Sequence, residues 1–253
     1  MCAAQRNESE PTVIARAAAL LSAFGPGDDV LGVSELARRT GLAKSTVYRL
    51  TRELVRSGLL ERSGTGLRLG LRLFELGQRV PRQRDLRSAA LPFMEDLREA
   101  TRQIVHLAVL DGTEMVYLEI LRSPDAPAPP SRVGGRLPAH ATGVGKAALA
   151  FSPPEVTDAV IAAGLRRLTR RTIVQPGLLR QELETIRQQG CAFDREESAD
   201  GVVCAACPVF GPDGTVAGAL SISGWSARMN LDRVAPAVRT AALALSRKLR
   251  ESR

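Results

Sequence analysis

Lysine is nearly absent from this chain: of its 35 basic residues only Lys44, Lys146 and Lys248 are lysines, the rest being arginines. A GC-rich genome writes arginine for lysine, so the formal net charge of +8 is weak evidence for an acidic partner by itself. Cysteine is scarce too. Four in 253 residues exclude a disulfide scaffold, and with only His106 and His140 beside them no metal and no cofactor is expected. No stretch approaches the roughly 18 to 20 uninterrupted apolar residues of a membrane helix. The polar opening, residues 1–11, lacks the apolar run of a signal peptide. The chain therefore reads as cytoplasmic, with no membrane partner. Its 44% hydrophobic content excludes a disordered tail, and its length suggests two domains.

What is present begins after a loose arm over residues 1–11. From Thr12, the residues Val13, Ile14, Ala17, Leu20, Leu21 and Phe24 recur at helical spacing until Gly25-Pro-Gly-Asp28 stops them. Ser34 reads as the N-cap of a two-turn helix ended by Gly41. Residues 43–57 put Val47, Leu50 and Leu54 on one helical face, and a short hairpin follows about Gly64-Thr-Gly66. Helix, short helix, glycine corner, helix and hairpin is the order of a winged helix-turn-helix. Its second helix projects into a DNA major groove while the first crosses the backbone. Charge agrees with that reading. Residues 34–72 carry nine basic residues against three acids, so +6 of the total +8 lies there.

A further short helix over 71–78 leads to a polar break over 79–85 containing Pro81, where the first domain, 12–80, is expected to end. A linker follows over 81–101, its amphipathic helix beginning at Leu86. Beyond it the period becomes two. Residues 104–110 and 115–121 read as strands joined by Asp111-Gly112, and a proline-rich loop, 123–130, interrupts them. Helices are expected over 144–151, 154–163 and 176–189, strands over 201–210 and 215–223, and a closing helix over 231–250. The second domain, 102–253, is then an α/β unit on a mostly antiparallel sheet.

Three stretches resemble the IclR-type bacterial transcriptional regulators. They are Ser34-Glu-Leu-Ala-Arg-Arg-Thr-Gly-Leu-Ala-Lys-Ser-Thr-Val-Tyr-Arg-Leu50, Arg136-Leu-Pro-Ala-His-Ala-Thr-Gly-Val-Gly-Lys-Ala147, and Asp194-Arg-Glu-Glu197 with Gly201-Val-Val-Cys204 and Leu220-Ser-Ile-Ser223. The resemblance implies an α+β protein: an N-terminal winged helix-turn-helix joined by a linker helix to a C-terminal GAF-like effector-binding domain. It also implies a homodimer or homotetramer and a small organic acid as effector. Contacts to double-stranded DNA on a roughly palindromic operator fall to Arg38, Lys44, Ser45, Thr46, Tyr48, Arg49, Arg52 and Arg62. Carried over by the match, Gly143, Val144, Asp194, Cys204, Ser221 and Ser223 hold the effector, with His140 and Thr142 as neighbours. The residues themselves suit an acid: Gly143-Val-Gly145 opens a helix whose free amides and positive end favour a carboxylate. Ser221 and Ser223, two apart on a strand, share a face.

Cys204-Ala-Ala-Cys207 invites a redox or zinc reading, but on a strand positions three apart face opposite sides, and zinc would need Cys191, Cys204, Cys207 and His140 to converge. The leading expectation is an effector-controlled regulator that is no enzyme, with repression favoured over activation. The alternatives are an enzyme that processes a small acid with Cys204 as nucleophile, and an adaptor that uses its basic face electrostatically.

Overall fold

The structure, a computed structural model, describes residues 11–251 apart from 125 and 128. The expected arm over 1–11 lies, except for Pro11, outside the described residues. The chain divides into two compact units, Met1–Pro81 and Arg82–Arg253.

In the first unit Thr12 caps α1 (Val13–Ser22), its Oγ1 accepting the Ala15 amide at 3.2 Å. α2 (Val33–Thr40) ends at Gly41, whose φ of 70° is the left-handed turn that glycine adopts cheaply. α3 (Lys44–Arg56) follows after three residues. It buries Val47, Leu50, Thr51 and Leu54 on one face, against Leu20 and Leu36 of the first two helices and Leu60 of the wing. Full burial of such a leucine contributes about 1.5 to 3 kcal/mol. The wing pairs β1 (Leu60–Ser63) with β2 (Gly66–Leu69), and Leu31 bridges to Leu67. A Cβ on Gly70 would stand 2.1 Å from the Gly58 carbonyl oxygen, so only glycine lets the end of the wing close on the end of α3. α4 (Leu71–Gly77) completes the unit. One expectation is corrected: Ser34 lies inside α2, the cap position falls to Gly32, and no side chain bonds to the free amides.

The break expected over 79–85 is also corrected. α5 (Pro81–Thr101) begins at Pro81 itself, because a proline ring is pre-set for the first helical turn, where its missing N–H costs nothing. The second unit is built on a six-stranded, wholly antiparallel sheet of order β5-β4-β3-β8-β7-β6. Its strands are β3 (Ile104–Asp111), β4 (Glu114–Leu121), β5 (Arg136–Pro138), β6 (Ala192–Arg195), β7 (Val202–Phe210) and β8 (Val216–Trp225). Pleating sends alternate residues to opposite faces. Val105, Leu107, Val203, Ala205, Cys207, Leu220 and Ile222 pack with α5 and α9 (Leu231–Glu251). Ala108, Cys204, Ala206 and Ala219 pack with α6 (Gly143–Ala150) and α8 (Pro176–Gln189). α7 (Pro154–Ala162) joins those two helices. Cys204 and Cys207 thus face opposite layers, as the strand period requires, and among the described residues no histidine, cysteine and carboxylate cluster could hold a metal.

Candidate functional site

On α3 the apolar stripe turns the other face outward. Lys44, Ser45, Tyr48, Arg49 and Arg52 are exposed there, with Thr46 half-buried, and Arg62 is exposed on the wing. Ala43 precedes α3 without a side-chain cap, so the first-turn amides stay free for a phosphate oxygen. The basic residues divide into two groups. Arg39 is tied to Asp28, to Glu35 at 2.7 Å and to the Ala23 carbonyl at 2.9 Å. Arg38 makes a two-pronged bond to Glu35 at 2.6 and 2.9 Å. Hydrogen bonds from Arg38 and then Arg39 hold the Glu35 carboxyl down to about 2. Arg56 pairs with Glu53 and Arg68 with Glu61. Lys44, Arg49, Arg52, Arg62 and Arg72 have no acidic partner among the described residues, and these carry the field a polyanion meets. Of the residues expected to contact DNA, Arg38 alone is held by a neighbouring acid.

In the second unit sheet register assembles the other site. Asp194 on β6 stands opposite Cys204 on β7, which stands opposite Ser223 on β8. In the adjacent row Ala206 faces Ser221, and Ser221 faces His106 on β3. α6 begins directly above. Thr142 caps it, taking the Gly145 amide on Oγ1 at 3.1 Å. The first-turn amides of Gly143 and Val144 have no acceptor within the helix. A Cβ on Gly143 would lie 2.8 Å from Cys204 Sγ, which is why glycine stands there. Thr142, Gly143, Val144, Asp194, Cys204, Ser221 and Ser223 line one cavity of about 20 Å³, room for about one water molecule.

His140 is not on that cavity. Its Nε2 bonds the Arg166 carbonyl at 3.0 Å, and burial lowers its pKa. The histidine at the site is His106, absent from the expected set. Its Nε2 meets Ser131 Oγ at 2.9 Å, and its Nδ1 lies 3.4 Å from Ser221 Oγ and 3.5 Å from Ser223 Oγ. Tyr117 packs edge-on against it at 5.4 Å between ring centres. Burial pushes the imidazole down to about 3, so it is neutral at pH 7. Its sequence signal was a lone histidine on a strand of period two. Its partner Ser221 lies 115 residues away, beyond any local pattern.

Both Asp194 oxygens turn toward their own loop. Oδ1 accepts the Glu197 amide at 2.7 Å and Oδ2 the Ser198 hydroxyl at 2.6 Å. Burial raises the Asp194 carboxyl against these bonds. Behind it Lys146, 1% exposed, reaches Glu197 at 2.6 Å and Glu182 at 2.9 Å. Burial likewise raises the Glu197 carboxyl, whose Oε2 has no partner. Burial, then Asp194, pushes the Cys204 thiol up to about 12. A thiol so placed is protonated at neutral pH and is a poor nucleophile. A wider groove of about 710 Å³ lies among Leu86, Val109, Arg136, Val216 and Leu249, and none of the expected site residues reaches it.

Residues 13–64 match the IclR helix-turn-helix domain, and residues 78–247 match the bacterial transcriptional regulator IclR C-terminal domain. The chain is 33% identical over 242 residues to the HTH-type transcriptional regulator XynR of Escherichia coli, covering 93% of this chain and 96% of that one. It is 31% identical over 226 residues to the transcriptional repressor IclR of the same organism, covering 87% and 82%. A solved IclR homologue from Microbacterium hydrocarbonoxydans, complexed with 4-hydroxybenzoate, superposes with a TM-score of 0.89 at 32% identity over 95% of this chain and all of that one. Thermotoga maritima IclR superposes with a TM-score of 0.74 at 29% identity, covering 94% and 98%.

Proposed function

Because the chain belongs to the IclR family of bacterial transcriptional regulators, we propose that it grips operator DNA with the outer face of α3 and that a small organic acid beneath α6 sets the strength of the grip. The observation that carries the effector site is one cavity. Gly143 and Val144, whose first-turn amides have no acceptor within the helix, line the same space as Ser221 and Ser223. A carboxylate suits the amides and the positive helix end, and a second oxygen on the ligand suits the serines. Tyr117, Leu137, Val144 and Val202 supply the apolar wall for the ligand's body. The complex of a similar protein with 4-hydroxybenzoate makes compact hydroxylated aromatic acids the first compounds to try.

About 20 Å³ holds no such acid, so its walls must part on binding, and the arrangement that admits ligand differs from the one described. That difference is what lets a ligand bias DNA binding: it acts only through unequal affinity for two arrangements. In a cytoplasmic homodimer, or a tetramer made of two, paired α3 helices would enter major grooves about one DNA turn apart, roughly 34 Å, on a near-palindromic operator. Repression is the direction we assign. The enzyme alternative is not retained, because the relatives are transcriptional regulators and Cys204 lacks a thiolate.

A panel of small acids, screened by thermal shift and by operator release in fluorescence anisotropy, tests the site. Ser221→Ala with Ser223→Ala is expected to abolish the ligand response and leave ligand-free DNA binding intact. A double variant that responds as wild type does would move the effector to another site.

A further inference from the structure

The effector cavity uses one of the three described cysteines, and the other two meet each other on the opposite face of the sheet. Register places them there. Ala192 pairs with Ala206, so one step further Cys191 stands directly opposite Cys207. Their sulfurs are 2.8 Å apart, and both side chains are buried, at 5% and 1% exposure. Directly opposed residues on antiparallel strands have Cα atoms about 4.5 to 5.5 Å apart, inside the roughly 4.4 to 6.8 Å that a disulfide spans. We propose that Cys191 and Cys207 form an oxidisable dithiol, a covalent modification site for hydrogen peroxide or another small hydroperoxide.

The two thiols are not equivalent. Cys191 follows Gly190, the cap of α8, and a Cβ on Gly190 would lie 3.6 Å from the Arg239 guanidinium carbon, so that cation stands beside it. The hydrogen bond from Cys207 first, and Arg239 with it, lowers the Cys191 thiol, whereas Cys207 is raised. Cys191 is therefore the attacking sulfur and Cys207 the resolving one. The Cys191 thiolate attacks one peroxide oxygen, and the O–O bond breaks. Cys191 becomes a sulfenic acid, and the departing hydroxide takes up the released thiol proton as water. Cys207 sulfur then attacks Cys191 sulfur; the S–S bond forms, the S–O bond breaks, and the hydroxyl leaves with the Cys207 proton as a second water. Two thiols and one peroxide give one disulfide and two waters. Access comes from position: β6 is the edge of the sheet, where strands open locally before the core does. The closed ring would contain both Asp194 and Cys204, so the cross-link would fix the corner of the sheet that forms one wall of the effector cavity.

The test uses the full-length protein treated with hydrogen peroxide, then alkylated in denaturant, digested and mapped by mass spectrometry. A linked peptide joining Cys191 to Cys207, lighter than the two free peptides by two hydrogen atoms and released by dithiothreitol, is expected. Cys204→Ser still forms it. In Cys207→Ser, Cys191 stops at the sulfenic acid and is trapped by dimedone. The wild-type map stands alone should that variant misfold. Recovery of Cys191 and Cys207 fully alkylated after peroxide treatment, while Cys2 or Cys204 is oxidised, would overturn the proposal. So would a linkage from Cys191 to Cys204. Neither result bears on whether an acid binds beneath α6.

Discussion

Replacing Arg52 by alanine removes one of the five cations of residues 34–72 that have no acidic partner among the described residues, the others being Lys44, Arg49, Arg62 and Arg72. Replacing Arg39 removes a cation already committed to Asp28, Glu35 and the Ala23 carbonyl. Formal charge changes equally in both, so counting charges predicts one result and the pairing predicts two. Each phosphate contact contributes about 0.9 to the slope of log affinity against log salt. Five per protomer set an upper bound of roughly 4.5, and Arg52→Ala lowers the slope by about one per protomer, about two in a dimer. Between about 50 and 200 mM salt the affinity lost then shrinks roughly 3-fold per contact, about tenfold for the dimer. Arg39→Ala leaves the slope as it was and lowers the melting temperature instead. Because the term is independent of sequence, anisotropy with any labelled duplex over a salt series suffices, without knowledge of the operator. Equal slope changes in two folded variants would refute the division, and an unchanged slope in Arg52→Ala would remove that residue from the interface.

Three other predictions rest on the second unit. Lys146→Met leaves Glu197 buried without its cation, a loss of about 3 to 5 kcal/mol in chemical denaturation; a stability within 1 kcal/mol of wild type, roughly, would contradict the pairing. His106 is held down to about 3 against an ordinary 6.5, so unfolded chains bind a proton that folded ones refuse. Its contribution to stability is whole above pH 6.5 and falls as pH drops toward 3, by up to about 1.4 kcal/mol per pH unit. His106→Gln removes that part of the acid slope, and an unchanged slope would mean the imidazole is already protonated when folded. Gly143→Ala sets a Cβ 2.8 Å from Cys204 Sγ and 3.4 Å from Ala206 Cβ. It is expected to cancel the acid-induced thermal shift while DNA binding persists, and Cys204→Ala in the same chain to restore part of it.

Much of this was readable locally, and each failure has a physical cause. α3 carried its apolar stripe and α8 its opening proline, so both emerged near their true ends. Ser34 looked like a cap because serine usually is one, but Leu31 is bridged to Leu67 on the wing, and the chain enters its helix as soon as it leaves that bridge. β5 and β6, three and four residues long, exist because Met115 and Cys204 offer them partners, and neither has a pattern of its own. The proposed effector residues could be named only through resemblance. What binds them into one site is register across β6, β7, β8 and β3, and that set His106 in the cavity and left His140 beside Arg166.

Two of the donors at the proposed effector cavity, the amides of Gly143 and Val144, belong to the main chain, and no substitution other than proline removes them. A carboxylate held there would keep those two donors through sequence drift, and divergence in ligand choice would be channelled to the apolar wall. A library built to retune this protein as a biosensor should therefore vary Tyr117, Leu137, Val202 and the side chain of Val144, excluding proline there, and keep Thr142 and Gly143. Variants from it would exchange one acid for another far more readily than an acid for an amine.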